Sequence, residues 1–237
     1  MSAFILPPAA EMQIERLQID RAEVLRYLRW YSPAESLPPE MSGQISRAEN
    51  DILAAAQPRF VYKCFALEKA ADEVRLAGSS LVLAGQDIAC LLQNAENCLL
   101  LAATLGGGVD GLIRRAEICD VSRALLLDAC ASAAVENLCE QLQNKLREYL
   151  QKQAVFLTAR FSPGYGDLPL GCQAQFCATL DTVRSIGLTV SQSGLLLPRK
   201  SVTAVIGLLK EPPVDAQLNF QHNCAACRLK NCPYRKR

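Results

Sequence analysis

Apolar residues recur along this chain with two periods. Between residues 121 and 153, Leu127, Ala131, Val135, Leu138, Leu142, Leu146 and Leu150 return every three or four positions with charge on the other face, which predicts one long amphipathic helix. Its stripe is expected to pack on the chain's own sheet rather than on a partner. Residues 60–67, 74–76, 80–84 and 98–104 predict strands, the last so apolar that it reads as buried. Met12, Ile14, Leu17 and Ile19 predict a short strand, followed by Asp20 and Glu23 as the capping box of a helix ending near Trp30. Pro33, Pro38 and Pro39 break the chain before helices at about 41–56 and 87–93, and the triple glycine at 106–108 turns into another. A helix over about 173–185 and strands near 188–197 and 201–209 follow. Strands and helices mix without strict alternation, so the expected fold is α+β, with a mixed, partly antiparallel sheet and flanking helices.

Composition narrows the function classes. At 237 residues, half of them hydrophobic, the chain has material for a substantial core. Twenty-five basic and 24 acidic residues leave a net charge of +1, too little to draw the protein onto nucleic acid. The apolar run at 3–6 is too short for a signal-peptide core and meets Pro7 and Pro8, and no later run approaches a membrane-spanning length; a cytoplasmic protein is expected. Eleven cysteines in that compartment do not read as a disulfide framework, and the odd count leaves one over. Cys90, Cys98, Cys119, Cys130 and Cys139 stand singly among apolar neighbours and are expected as buried thiols. One histidine, His222, leaves little material for a Ser-His-Asp or Cys-His arrangement, so no catalytic base is expected.

The most informative stretch is Arg160-Phe161-Ser162-Pro163-Gly164-Tyr165-Gly166-Asp167-Leu168-Pro169-Leu170. The β-prone residues 154–159 lead into it, and two prolines and two glycines then forbid continuation. A cation, a hydroxyl and a phenol are thus displayed on a stiff loop. The residues alone leave two readings open: a ligand site, or Arg160 pairing with a surface carboxylate while Tyr165 packs over the turn.

The Arg-x-Ser-Pro-Gly-Tyr wording is followed by Ile186-Gly187-Leu188-Thr189-Val190-Ser191-Gln192-Ser193 and by Leu197-Pro198-Arg199-Lys200-Ser201-Val202. In order and spacing this resembles the reactivation domain of cobalamin-dependent methionine synthase, and more closely its stand-alone bacterial form, which often ends in a cysteine cluster. The resemblance is strongest over residues 154–210; Glu23-Val24-Leu25-Arg26-Tyr27-Leu28 and Ala103-Thr104-Leu105-Gly106 extend it toward the N-terminus. It implies one activation-like domain over 1–220 and a basic, cysteine-rich tail over 221–237. It also implies that Arg160, Ser162, Pro163, Gly164 and Tyr165 bind S-adenosylmethionine. In that reading the Arg160 guanidinium grips the methionyl carboxylate, backbone beside Pro163 and Gly164 approaches the ligand, and Tyr165 faces the corrinoid. Where the synthase-embedded domain has an acidic residue and a histidine after the tyrosine, this chain has Leu170-Gly171, and the later paired tyrosines have no counterpart. The acidic group for the ligand's ammonium is therefore unassigned, with Asp167 as candidate. Ser193, Pro198 and Ser201 also match the motif, and a turn between strands explains them as well.

The tail holds a second constellation, Cys224-x2-Cys227-x4-Cys232, with metal-like spacing. An iron-sulfur cluster or zinc is the expected occupant, with a fourth ligand from His222, Cys172, Cys177, a partner or a small molecule; a tail of free thiols is the alternative. Arg228, Lys230, Arg235, Lys236 and Arg237 make the tail basic, fit to steer an acidic electron donor.

The resemblance implies an accessory factor that restores oxidised cobalamin-dependent methionine synthase, coupling reduction to methyl transfer from S-adenosylmethionine onto the partner's cobalamin. A flavodoxin- or ferredoxin-like protein would be the donor. Two alternatives stay open: an iron-sulfur or zinc redox or interaction module whose site is the tail, and a reactivator of another corrinoid methyltransferase.

Overall fold

The computed structural model describes residues 5–32, 36–70 and 73–213. The chain runs α1 (Arg21–Tyr27), α2 (Pro39–Ala55), β1 (Arg59–Lys69), β2 (Glu73–Leu76), β3 (Val82–Ala84), α3 (Gln86–Leu91) and β4 (Asn97–Thr104). It continues through α4 (Gly107–Cys119), α5 (Val121–Gln151), β5 (Phe156–Leu157), α6 (Gln173–Leu180), α7 (Thr182–Ile186), β6 (Thr189–Val190), β7 (Leu196–Leu197) and β8 (Ser201–Leu209). Six strands form one sheet in the order β3-β2-β1-β4-β8-β5, every pairing antiparallel, and β6 and β7 make a separate ribbon. The α+β expectation holds.

Strand alternation divides the interior in two. Leu99, Leu101 and Ala103 of β4, with Ile206 and Leu208 of β8, face α1, α2, α4 and α5. Cys98, Leu100 and Ala102, with Val205 and Leu209, face α3, α6 and α7. Both central strands are thus buried on both sides, which is why β4 reads as an unbroken apolar run rather than as an alternation. On the first side lies α5, whose inward ridge includes Leu127, Ala131, Leu138, Leu142, Leu146 and Leu150. Asp120 caps its N-terminus through a bond from the Arg123 N–H at 3.0 Å.

Three predicted elements differ. Residues 12–19 join no sheet: the N–H groups of Glu15 and Gln18 donate to the Gln141 and Asn137 side chains on α5, at 2.9 and 3.0 Å, while Leu17 is buried. Asp20 does cap α1, accepting from the Ala22 N–H at 2.8 Å, but that helix stops at Tyr27, because Arg29 turns left-handed at φ 58° and the Trp30 N–H returns to the Leu25 carbonyl. The helix expected over 173–185 is two, broken at Asp181 with φ 54°, and the strand near 188–197 is the β6–β7 ribbon around a turn at Gly194. Among the described residues no helix is long and apolar enough to cross a membrane.

β8 packs closely on the segment after β5. A Cβ at Gly207 would lie 2.9 Å from Thr158 Cγ2 and 3.0 Å from Leu92 Cδ2. Gly207→Ala is expected to cost about 1–3 kcal/mol by overpacking, read as a lower urea midpoint at unchanged slope.

Candidate functional site

The β-prone residues 154–159 form only the two-residue edge strand β5, and the backbone beyond it carries the site. Leu157 pairs with Leu208 and Phe161 bridges Val205, so four steps along this segment face three along β8. That extra residue is a bulge, and it reverses the alternation. Leu157 lies in the α5-side cluster, whereas Phe161 lies in the opposite one. Arg160 is thereby turned toward α5.

There Arg160 is 2% exposed. Nη1 donates to Gln143 Oε1 and Nη2 to Glu136 Oε2, both at 3.0 Å. Nε is buried with no hydrogen-bond partner among the described residues. The Glu136 side chain is 39% exposed, so the pair has its cation inside and its anion toward the surface. Tyr27 of α1 stands near: burial pushes its phenol up to about 12, and the Glu136 charge adds to the rise. Two turns and one turn earlier on α5, Asp128 and Ser132 hold Lys200 Nζ at 2.8 and 2.9 Å. A polar stripe of Asp128, Ser132, Glu136 and Gln143 thus runs along α5 opposite the edge segment and the start of β8.

The loop at 162–168 folds on itself: the Tyr165 N–H meets the Ser162 carbonyl, Gly164 N–H the Leu168 carbonyl, and Leu168 N–H the Tyr165 carbonyl. Pro163 is buried, Ser162 half-buried, and Tyr165 is 64% exposed. Gly166, at φ 51°, approaches α3 so closely that a Cβ would sit 2.5 Å from Asp87 Oδ2. Asp167 accepts the N–H groups of Gln86 and Asp87 at 2.7 and 3.1 Å. Its carboxylate therefore pins the loop to α3, on the side of the sheet away from Arg160, and is not placed to complement a ligand there. The acid beside Arg160 is Glu136, which sequence reasoning missed along with Gln143.

Other expected site residues have structural partners. The Ser201 hydroxyl meets the Thr104 hydroxyl and the Pro198 carbonyl, each at 2.7 Å, and Ser193 meets Ser191 at 2.9 Å. Gly194 packs against Leu170, which joins the ribbon turn to the loop. Exposed Tyr165, Leu170, Leu195 and Leu197 lie on this loop and ribbon.

Among the described residues no group of three or more His, Cys, Asp or Glu side chains is placed to hold a metal ion. Cys224, Cys227, Cys232 and His222 lie outside the described residues. Burial raises the Cys172 and Cys177 thiols, which opposes the thiolate form a metal needs. Cys98, Cys130 and Cys139 are buried as expected, but Cys90 and Cys119 are exposed. Cys90 is on the outer side of α3, whose Ile88 and Leu91 face in, and Cys119 is the last residue of α4.

No family model and no curated protein matches the chain. Among solved structures, the chain is similar to the MetH reactivation domain bound to AdoHcy, with a TM-score of 0.58 and 17% identity, covering 86% of this chain and 81% of that one. The two share a fold.

Asp167→Ala is expected to remove about 1–2 kcal/mol through the lost cap of α3, seen as a lower melting temperature. Burial pushes the Cys130 and Cys139 thiols up to about 12 and raises that of Cys98. Near neutral pH, maleimide should therefore label Cys90 and Cys119 in the native chain and reach the other three only in denaturant, as mass spectrometry of the peptides will report.

Proposed function

We propose that this chain binds S-adenosylmethionine at the edge of the sheet and presents its methyl group to the cobalt of a corrinoid carried by cobalamin-dependent methionine synthase, restoring the oxidised enzyme. The observation that carries this reading is the Arg160–Glu136 pair. An α-amino acid end needs a fixed cation and an adjacent anion. Arg160 is fixed, buried and held by Gln143, while Glu136 is surface-facing and free to move from the guanidinium to a ligand's ammonium. The ligand carboxylate then takes the place of the Glu136 carboxylate on Arg160, so the charge of the buried guanidinium stays matched throughout. The shared fold supports the same ligand, because AdoHcy differs from S-adenosylmethionine only by the methyl group and its sulfonium charge.

The chain's own residues bind and orient. Pro163, Gly164 and Ser162 shape the backbone that the ligand crosses, and the tie from Asp167 to α3 keeps that backbone in place. Tyr165, exposed at the tip, is the residue that faces the corrin. The partner's corrinoid supplies the nucleophile, and a flavodoxin- or ferredoxin-like donor supplies the electron. As the methyl leaves, the sulfur keeps the bonding pair and becomes a neutral thioether. No general base is required of this protein, since no proton moves.

Glu136→Gln keeps the size and hydrogen-bonding reach of the side chain and removes its charge. It should weaken S-adenosylmethionine by at least about tenfold, the worth of a hydrogen bond to a charged group, and Arg160→Ala should weaken it further. Calorimetric titration decides: unchanged affinity in both variants removes the pair from the site.

A further inference from the structure

Gln143 is buried, 8% exposed, on the core-facing side of α5. Its Oε1 accepts from Arg160 Nη1 at 3.0 Å and its Nε2 donates to the Thr158 carbonyl at 3.1 Å. The two partners fix the amide's orientation: turned over, it would set its NH2 against a guanidinium and its oxygen against a carbonyl. Thr158 is itself tied to β8, its N–H donating to the Gly207 carbonyl at 3.1 Å and its Oγ1 accepting the Gly207 N–H at 2.8 Å. Arg160 is thus referenced at once to α5 and to β8.

We propose that Gln143 is a positioning residue that sets ligand specificity: it anchors Arg160 while adding no charge, so that the site selects sulfonium ligands that carry a carboxylate. This rests on the reading of the site given above. Neutrality matters because of where the other neighbours stand. Cys139, buried one turn before Gln143, has a thiol pushed up by burial and so stays uncharged. The acid paired with Arg160 is Glu136, on the solvent side, where it can be displaced. A carboxylate at position 143 would be a counter-ion that could not leave. It would satisfy Arg160 permanently and would also face the Thr158 carbonyl with no donor. The Arg160 Nε is buried and has no hydrogen-bond partner among the described residues.

The test compares two ligands on the full chain by calorimetry: S-adenosylmethionine and its decarboxylated form, which keeps the sulfonium, the amine and the adenosyl group. Wild type is expected to prefer the carboxylated ligand by at least about tenfold. Gln143→Glu and Gln143→Met should each lose most of that preference while binding the decarboxylated ligand within about twofold of wild type. The Met variant, close in size and uncharged, carries the test by itself if the Glu variant does not fold. Variants that retain the full preference, or that lose both ligands alike, overturn the proposal while leaving the function standing. A wild type that binds neither ligand overturns the function and this proposal together.

Discussion

A guanidinium inside a protein is stable only when its charge is met, and Arg160 is met by two side chains of a single helix. Taking it from water costs several kcal/mol before any partner is counted. The offset comes from Glu136 and Gln143, two turns apart on α5, and from a one-residue bulge that aims the side chain at them. Without the bulge the alternation of the edge segment would send Arg160 toward α3 and α6, among apolar side chains. The pair is also asymmetric, buried at the cation and open at the anion, and the proposed function uses that asymmetry to exchange a zwitterion into the contact.

The remainder of the fold makes this arrangement stiff. β4 and β8 are covered on both faces, so β8 is a fixed reference for the edge segment that pairs with it. The helix α5 spans the sheet and meets the N-terminal segment, α1, α2 and α4, so its polar stripe cannot shift without disturbing the larger core. On the other side Asp167 locks the loop to α3 through two backbone N–H groups. Anchor and loop are therefore held from opposite faces of one sheet, with the loop tip and Tyr165 left exposed between solvent and the ribbon.

Much of the fold was legible because its signals are local. The ridge of α5 and the apolar runs of β4 and β8 have periods that nothing else in the chain contradicts, and Asp20 caps α1 as its position before the helix indicates. Residues 12–19 alternate like a strand but spend their N–H groups on side chains of α5, a long-range pairing that no local pattern encodes. Asp181 breaks a predicted helix by turning left-handed, which its neighbours do not announce. Arg160 and its loop stood out by wording, yet which way Arg160 faces depends on a register offset between strands far apart in sequence. Glu136 looked like one more solvated charge on an amphipathic helix. Gln143 did leave a trace: with Cys139, Leu146 and Leu150 it occupies an inward ridge, and a polar residue in an apolar ridge is expected to have a buried partner.

The proposed function requires that Arg160 and Glu136 open to take the amino acid end of a sulfonium ligand. A crystal structure of the full chain with S-adenosylmethionine tests it most directly. The ligand carboxylate is expected on Arg160, its ammonium on Glu136, and the methyl directed toward the surface at Tyr165. A ligand bound elsewhere, with the Arg160–Glu136 pair still closed, would contradict it.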